Sequence, residues 1–159
     1  MTANRDIVVV NSESALSSDS LSLMEQLTTE LVAKYGDDGG AKSFHPEDMV
    51  VEGTAFLIAR INDLAVGCGA IRPLRPGVAE IKRMFVVPER RGAGVARRIL
   101  QELESVAISF GYSSVRLETG LKQPEAIGLY ESAGYQRVPC YGQYTFNPLS
   151  VCFESRSGL

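Results

Sequence analysis

The sequence predicts an α+β fold with a mixed, mostly antiparallel sheet and one β-α-β unit at its centre. Positions 55–87 hold apolar, strand-like runs joined by turn residues. A long helical periodicity from Gly92 to Phe110 follows behind a glycine-bearing turn. An alternating segment, Ser113 to Thr119, comes directly after that helix and completes the unit.

The elements follow in order. Arg5 to Asn11 contains the run Ile7-Val8-Val9-Val10 and reads as a strand. Ser18, Asp19 or Ser20 can cap a helix with an apolar face of Leu23, Leu27, Leu31 and Val32. Gly36-Asp37-Asp38-Gly39-Gly40 breaks that helix after Tyr35. In the polar stretch that follows, His45-Pro46-Glu47-Asp48 suits a short helical turn. Ala55 to Ile61 and Leu64 to Ile71 flank Asn62-Asp63, which is a hairpin pattern. Gly67 and Gly69 in the second arm point to a bulge or a close backbone approach. Pro73 and Arg75-Pro76-Gly77 end that arm, and Val78 to Val87 forms the next strand, closed by Pro88.

In the central helix Val95, Ile99, Leu103, Val106 and Phe110 share one side, against Arg97, Arg98, Gln101 and Glu104. Gly111 suits its C-terminus. Pro124 opens a shorter helix with Ala126, Ile127, Leu129 and Tyr130, ended by Gly134. Tyr135 to Tyr141 and Tyr144 to Phe153 read as closing strands.

All 159 residues fit one domain, 1–159, with 45% hydrophobic and 22% charged positions. No apolar run approaches the roughly 20 residues of a membrane span, and no secretory leader is visible. Three cysteines, Cys68, Cys140 and Cys152, are an odd count without a C-x-x-C pair. The expectation is therefore no disulfide, no zinc cluster and a reducing cytoplasm. The one histidine, His45, argues against a His-based metal site. A net charge of −3 gives no global attraction to nucleic acid.

Chemistry concentrates between Glu80 and Arg98. A strand there runs into Arg90-Arg91-Gly92-Ala93-Gly94 and opens the long helix at Val95. Unpaired N–H groups at a helix start carry the positive end of its dipole and bind phosphate. Gly92 and Gly94 keep Cβ atoms out of an anion's way. Between positions 82 and 98, Lys82, Arg83, Arg90, Arg91, Arg97 and Arg98 face only one acid, Glu89. A Walker A loop is excluded because Val95-Ala96 follows Gly94, and Arg97 stands where a dinucleotide fingerprint needs a small residue.

Arg91-Gly92-Ala93-Gly94-Val95-Ala96 resembles the Arg/Gln-x-x-Gly-x-Gly/Ala motif of the GCN5-related N-acetyltransferase (GNAT) superfamily. Ala126-Ile127-Gly128-Leu129-Tyr130-Glu131-Ser132-Ala133-Gly134-Tyr135 is similar to its second signature, a helix ending in Leu-Tyr before Gly-aromatic. Glu80-Ile81-Lys82-Arg83-Met84, Leu117-Glu118-Thr119-Gly120 and Pro139-Cys140-Tyr141-Gly142-Gln143-Tyr144 resemble a small bacterial, small-molecule-type branch.

The resemblance implies a sheet splayed between two parallel strands, helices on both faces, and acetyl-CoA as acyl donor. Its pyrophosphate would meet Arg90, Arg91, Gly92, Ala93, Gly94, Val95, Ala96 and Arg97. The pantetheine would pair with the edge of Phe85, Val86 and Val87, where an N–H of Val86 or Val87 could polarise the thioester carbonyl. Gln123 replaces the family's asparagine. For transfer to a primary amine the resemblance assigns Glu80 as base and Tyr130 as acid, with Glu118 a competing base at the acceptor side. Tyr141 and Tyr144 are candidate acceptor-pocket walls, and no metal is expected. The alternatives are a non-catalytic acetyl-CoA-binding regulatory module and a protein lysine or N-terminal acetyltransferase. A small-molecule amine is the expected partner, and a homodimer is common in the family.

Overall fold

Strand β2 (Ala55–Ile61) explains why the sheet is covered on both sides. Its Leu57 and Ala59 face one apolar cluster while Phe56 and Ile58 face another. The structure, a computed structural model, describes residues 6–37 and 44–156. Arg5, Asp38, Gly39 and Gly40, included in two of the expected segments, lie outside the described residues.

The remaining strands are β1 (Val8–Ser12), β3 (Leu64–Arg75), β4 (Val78–Val86), β5 (Ser114–Gly120), β6 (Gln136–Val138) and β7 (Ser150–Ser155). They form one sheet in the order β1-β2-β3-β4-β5-β7-β6. Only β4 and β5 run parallel, joined by helix α2 (Val95–Ser109). Helix α1 (Ser18–Tyr35) covers one face through Leu23, Met24, Leu27 and Leu31. Helix α2 covers the other through Val95, Ile99, Leu100, Leu103 and Ala107, beside Tyr130 of α3 (Pro124–Ser132).

Local signals placed most of these elements, with small shifts. Ser17 is the cap of α1, accepting from the Ser20 N–H at 3.1 Å. Val32 is 47% exposed because its neighbour Leu31 takes the buried position. Asn62 and Asp63 adopt positive φ in the β2–β3 turn, as a two-residue hairpin requires. Strand β3 continues through Pro73 to Arg75. The last strand starts only at Ser150, because Gly142–Tyr144 forms a 3-10 turn instead.

The cysteine expectation is overturned. Cys140 and Cys152 are joined by a disulfide, with Cα atoms 5.2 Å apart. Pairing of β6 with β7 sets Val138 opposite Cys152 and brings Cys140 alongside, a juxtaposition invisible in residue spacing. Cys68 is free and buried. No helix among the described residues is long and apolar enough to cross a membrane.

One irregularity shapes the molecule. Cys68 pairs with Phe85 and Ala70 with Lys82, so Arg83 and Met84 oppose the single residue Gly69. Arg83 takes the left-handed conformation, φ 58°, a strained state for a residue with a side chain. Its guanidinium compensates by donating to the Met24 carbonyl and the Thr28 hydroxyl of α1. A Cβ at Gly69 would lie 2.7 Å from Met84 Sδ and 2.9 Å from Ile99, so glycine is required for α2 to approach. The parallel pairing of β4 with β5 runs from Val78↔Ser114 to Ile81↔Leu117 and ends just before this bulge.

Candidate active site

Beyond Ile81 and Leu117 the two parallel strands part, and a cleft of about 920 Å³ opens between them. Strand β4 forms one wall with Lys82, Phe85 and Val86. Strand β5 forms the other with Glu118, Thr119 and Gly120, backed by Tyr130 and Gln123. The Val87 N–H bonds to the Val66 carbonyl at 2.9 Å. Strand alternation therefore turns the Val86 N–H toward the cleft and leaves Val87 outside it.

At the open end lies the turn into α2. Gly92 and Gly94 have φ of 78° and 84°, and a Cβ on either would project into open space. The first residue of the helical ladder is Arg98, whose N–H reaches the Gly94 carbonyl at 3.1 Å. The N–H groups of Gly94, Val95, Ala96 and Arg97 precede that ladder and concentrate the helix dipole there. Arg90, Arg91 and Arg97 line the cleft at this end, while Ala93 does not.

Arg90 and Arg91 are held in ion pairs, and Arg97 donates to the Ser132 hydroxyl. Arg91 forks onto Glu30 of α1 at 2.8 and 2.9 Å, and its Nε donates to the Val86 carbonyl. That hydrogen bond and the Arg91 charge lower the Glu30 pKa. Arg90 pairs with Asp6 at 2.6 Å. Arg83, one of the expected basic cluster, is instead buried and bound to α1.

Of the two candidate bases, only Glu118 faces the cleft. Glu80 is 3% exposed and away from it. Arg72 donates to its Oε1 and the Tyr141 hydroxyl to its Oε2, at 3.1 and 2.9 Å. This clamp takes both Glu80 and Tyr141 out of the cleft wall, against expectation. Glu118 accepts from the Ser150 hydroxyl at 2.6 Å. Burial raises its pKa, opposed by that hydrogen bond and by the charge of Lys82.

Tyr130 is 4% exposed and stacked at 5.8 Å from both Tyr135 and Phe153. Burial, then the nearby Glu118 charge, push its pKa up, so it holds its proton at neutral pH. Tyr144 lines the cleft, its hydroxyl hydrogen-bonded to Lys82. Gln123 makes no side-chain cap. Its amide oxygen accepts from the Tyr35 hydroxyl at 3.3 Å. Tyr35 sits where any side chain on Gly120 would have to go, so α1 closes over β5. Sequence reading missed Tyr35 and Glu30, because no local pattern joins the end of α1 to residues some 60 to 90 positions away. No group of three potential metal ligands occurs among the described residues.

The sheet splits between its parallel strands beside a glycine-bearing helix start, and known acetyltransferases match this chain in sequence and fold. A family model described as "Acetyltransferase (GNAT) family" matches residues 21–135. The IAA acetyltransferase of Azospirillum brasilense is 39% identical over 133 residues, covering 81% of this chain and 87% of that protein. N-acetyltransferase 8 of Mus musculus is 35% identical over 93 residues, 55% of this chain but only 41% of its own length. Among solved structures, a protein assigned as an acyl-CoA N-acyltransferase from Klebsiella pneumoniae superposes with a TM-score of 0.79 at 27% identity. That likeness covers 95% of this chain and 98% of the other. A GNAT family acetyltransferase from Elizabethkingia anophelis with acetyl-CoA bound shares the fold at 16% identity, with a TM-score of 0.70 over 96% and 99% of the two chains. The chain belongs to the acetyltransferase (GNAT) family, an acetyl-CoA-dependent N-acetyltransferase.

Proposed function

We propose that the protein moves the acetyl group of acetyl-CoA directly to a small primary amine, with Glu118 as the base and Tyr130 as the acid. The observation that carries this reading is that both groups border the cleft at its β5 wall, from opposite faces of the sheet. Leu117 packs under α2, so its neighbour Glu118 points to the α1 side. Tyr130 comes from α3 on the other side.

The cleft suits acetyl-CoA on its own features. The open space before Gly92 and Gly94 and the N–H groups of Gly94 to Arg97 fit a diphosphate. The exposed edge at Val86 fits an extended arm carrying amides. When bound, acetyl-CoA supplies an acetyl group activated as a thioester.

The chain's own residues then handle two protons. Glu118 takes one from the incoming amine as the new C–N bond forms. The Tyr130 hydroxyl gives one to the sulfur as the C–S bond breaks. The Val86 N–H stands ready to stabilise charge on the carbonyl oxygen. A carboxyl with a raised pKa is a better base, and a tyrosine that keeps its proton is a competent acid. Arg91 and Arg90 would exchange their carboxylate partners for phosphate oxygens.

The test is calorimetric titration with acetyl-CoA, followed by thiol release against a panel of amines. Binding with amine-dependent release is expected. Binding without release from any amine would make the protein a non-catalytic acetyl-CoA module.

A further inference from the structure

Lys82 lies at the closed end of the cleft, immediately after the last β4–β5 pair, as does Glu118. Ile81 and Leu117 both pack on the α2 side, so Lys82 and Glu118 both point to the α1 side. One is cationic and the other anionic, and among the described residues neither forms an ion pair. Their charges are nonetheless coupled, since Lys82 lowers the pKa of Glu118 against the effect of burial. The Lys82 ammonium is held by the Tyr144 hydroxyl, with Nζ 5.0 Å from the centre of the Tyr144 ring.

This lysine is badly placed for the donor's phosphates. The amide-lined mouth lies beyond Val86, roughly 13 Å along the strand at about 3.3 Å per residue. Lys82 offers a half-buried ammonium at the acceptor end, one strand away from the proposed base. We infer that the acceptor is an amino acid with closely spaced charges, its amine directed to Glu118 and its carboxylate to Lys82. This inference rests on the transfer reading above.

Lys82 and Glu118 directly follow the last β4–β5 pair, and paired strands lie about 5 Å apart, which favours an α-amino acid over a long ω-amino acid. Leu27 and Leu31 of α1 and Leu149 give this end an apolar portion, beside the polar Asn147 and Ser150, and uncharged amino acids are the first acceptors to test. The carboxylate would share Lys82 with the Tyr144 hydroxyl, making a charge-assisted hydrogen bond. Lys82 is thus a specificity residue, and takes no proton in the reaction.

The experiment measures kcat/KM for several uncharged L-amino acids against the matching amino acid amides, which keep the amine and side chain but lose the anion. The unmodified protein should prefer the free acids by about tenfold or more, the worth of one hydrogen bond to a charged group. Lys82→Met should bring the two series to within about twofold, and Lys82→Arg should retain the preference. Acetyl-CoA affinity should stay within about twofold in Lys82→Met, separating acceptor recognition from donor binding. Equal use of acids and amides by the unmodified protein, or a preference that survives in Lys82→Met, overturns the inference and leaves amine transfer standing. Acetylation of other amines but of neither series overturns this inference alone, whereas acetyl-CoA binding without thiol release from any amine of the panel overturns the transfer reading and this inference with it.

Discussion

Glu80 and Glu118 stand on neighbouring strands, and their surroundings separate their roles. Glu118→Gln should lower kcat by about 10²–10⁴, the usual range for losing a general base, with the melting temperature little changed. Glu80→Gln should do the reverse. Weakening its bonds to Arg72 and Tyr141 should cost about 1–3 kcal/mol of stability, read by thermal melting, while activity per folded molecule falls less. Glu118 must be ionised to accept a proton, and its pKa is raised, so the acid limb of the pH–rate profile should lie above the ordinary carboxylate range. Lys82 holds that pKa down, so Lys82→Met should move the limb to still higher pH. Tyr130→Phe should lower turnover far more than acetyl-CoA affinity. At this scale the sequence ranked Glu80 first. Its partner Tyr141 lies 61 positions away, beyond the reach of any local pattern.

Elements respond to backbone rules. Gly128 lies inside α3, and a Cβ there would meet nothing within 4 Å. Gly128→Ala should therefore stabilise the protein by about 0.4–1 kcal/mol, seen as a higher melting temperature. The same change at Gly94 should be harmful, since φ of 84° disfavours any Cβ at the turn that opens α2. The Cys140–Cys152 bridge ties β7 to the segment carrying Tyr141 and Tyr144, closing a short loop of sequence separation 12. Cys140→Ser should lower stability by about 3 kcal/mol, measured by denaturant unfolding under non-reducing conditions. The helices, the hairpin turn and the glycine mouth were readable because each depends on residues within a few positions. The bulge was readable only in part, because Gly67 and Gly69 flagged irregularity without identifying Arg83.

The whole molecule is a sheet held together on one side of a bulge and open on the other. Arg83, strained and anchored to α1, joins the opening of the cleft to the helix that covers it. Glu30 with Arg91, and Tyr35 with Gln123, pin α1 across both walls. Acetyl-CoA that binds only the folded cleft should raise stability by about 2.7 kcal/mol at a hundred times its dissociation constant. For a chain of this size, thermal melting should then shift by roughly 5–11 °C.

The sequence by itself determined the order and type of the elements, the glycine-bearing turn into α2, the family and the helix that carries Tyr130. These follow from periodicity, φ preference and motifs carried on short stretches of chain. Tertiary structure alone decided which glutamate meets the cleft, which cysteines pair, where the parallel strands part and which lysine lies at the closed end of the cleft. Those outcomes depend on contacts between residues far apart in the chain, where burial and side-chain pairing override whatever each residue's neighbours suggest.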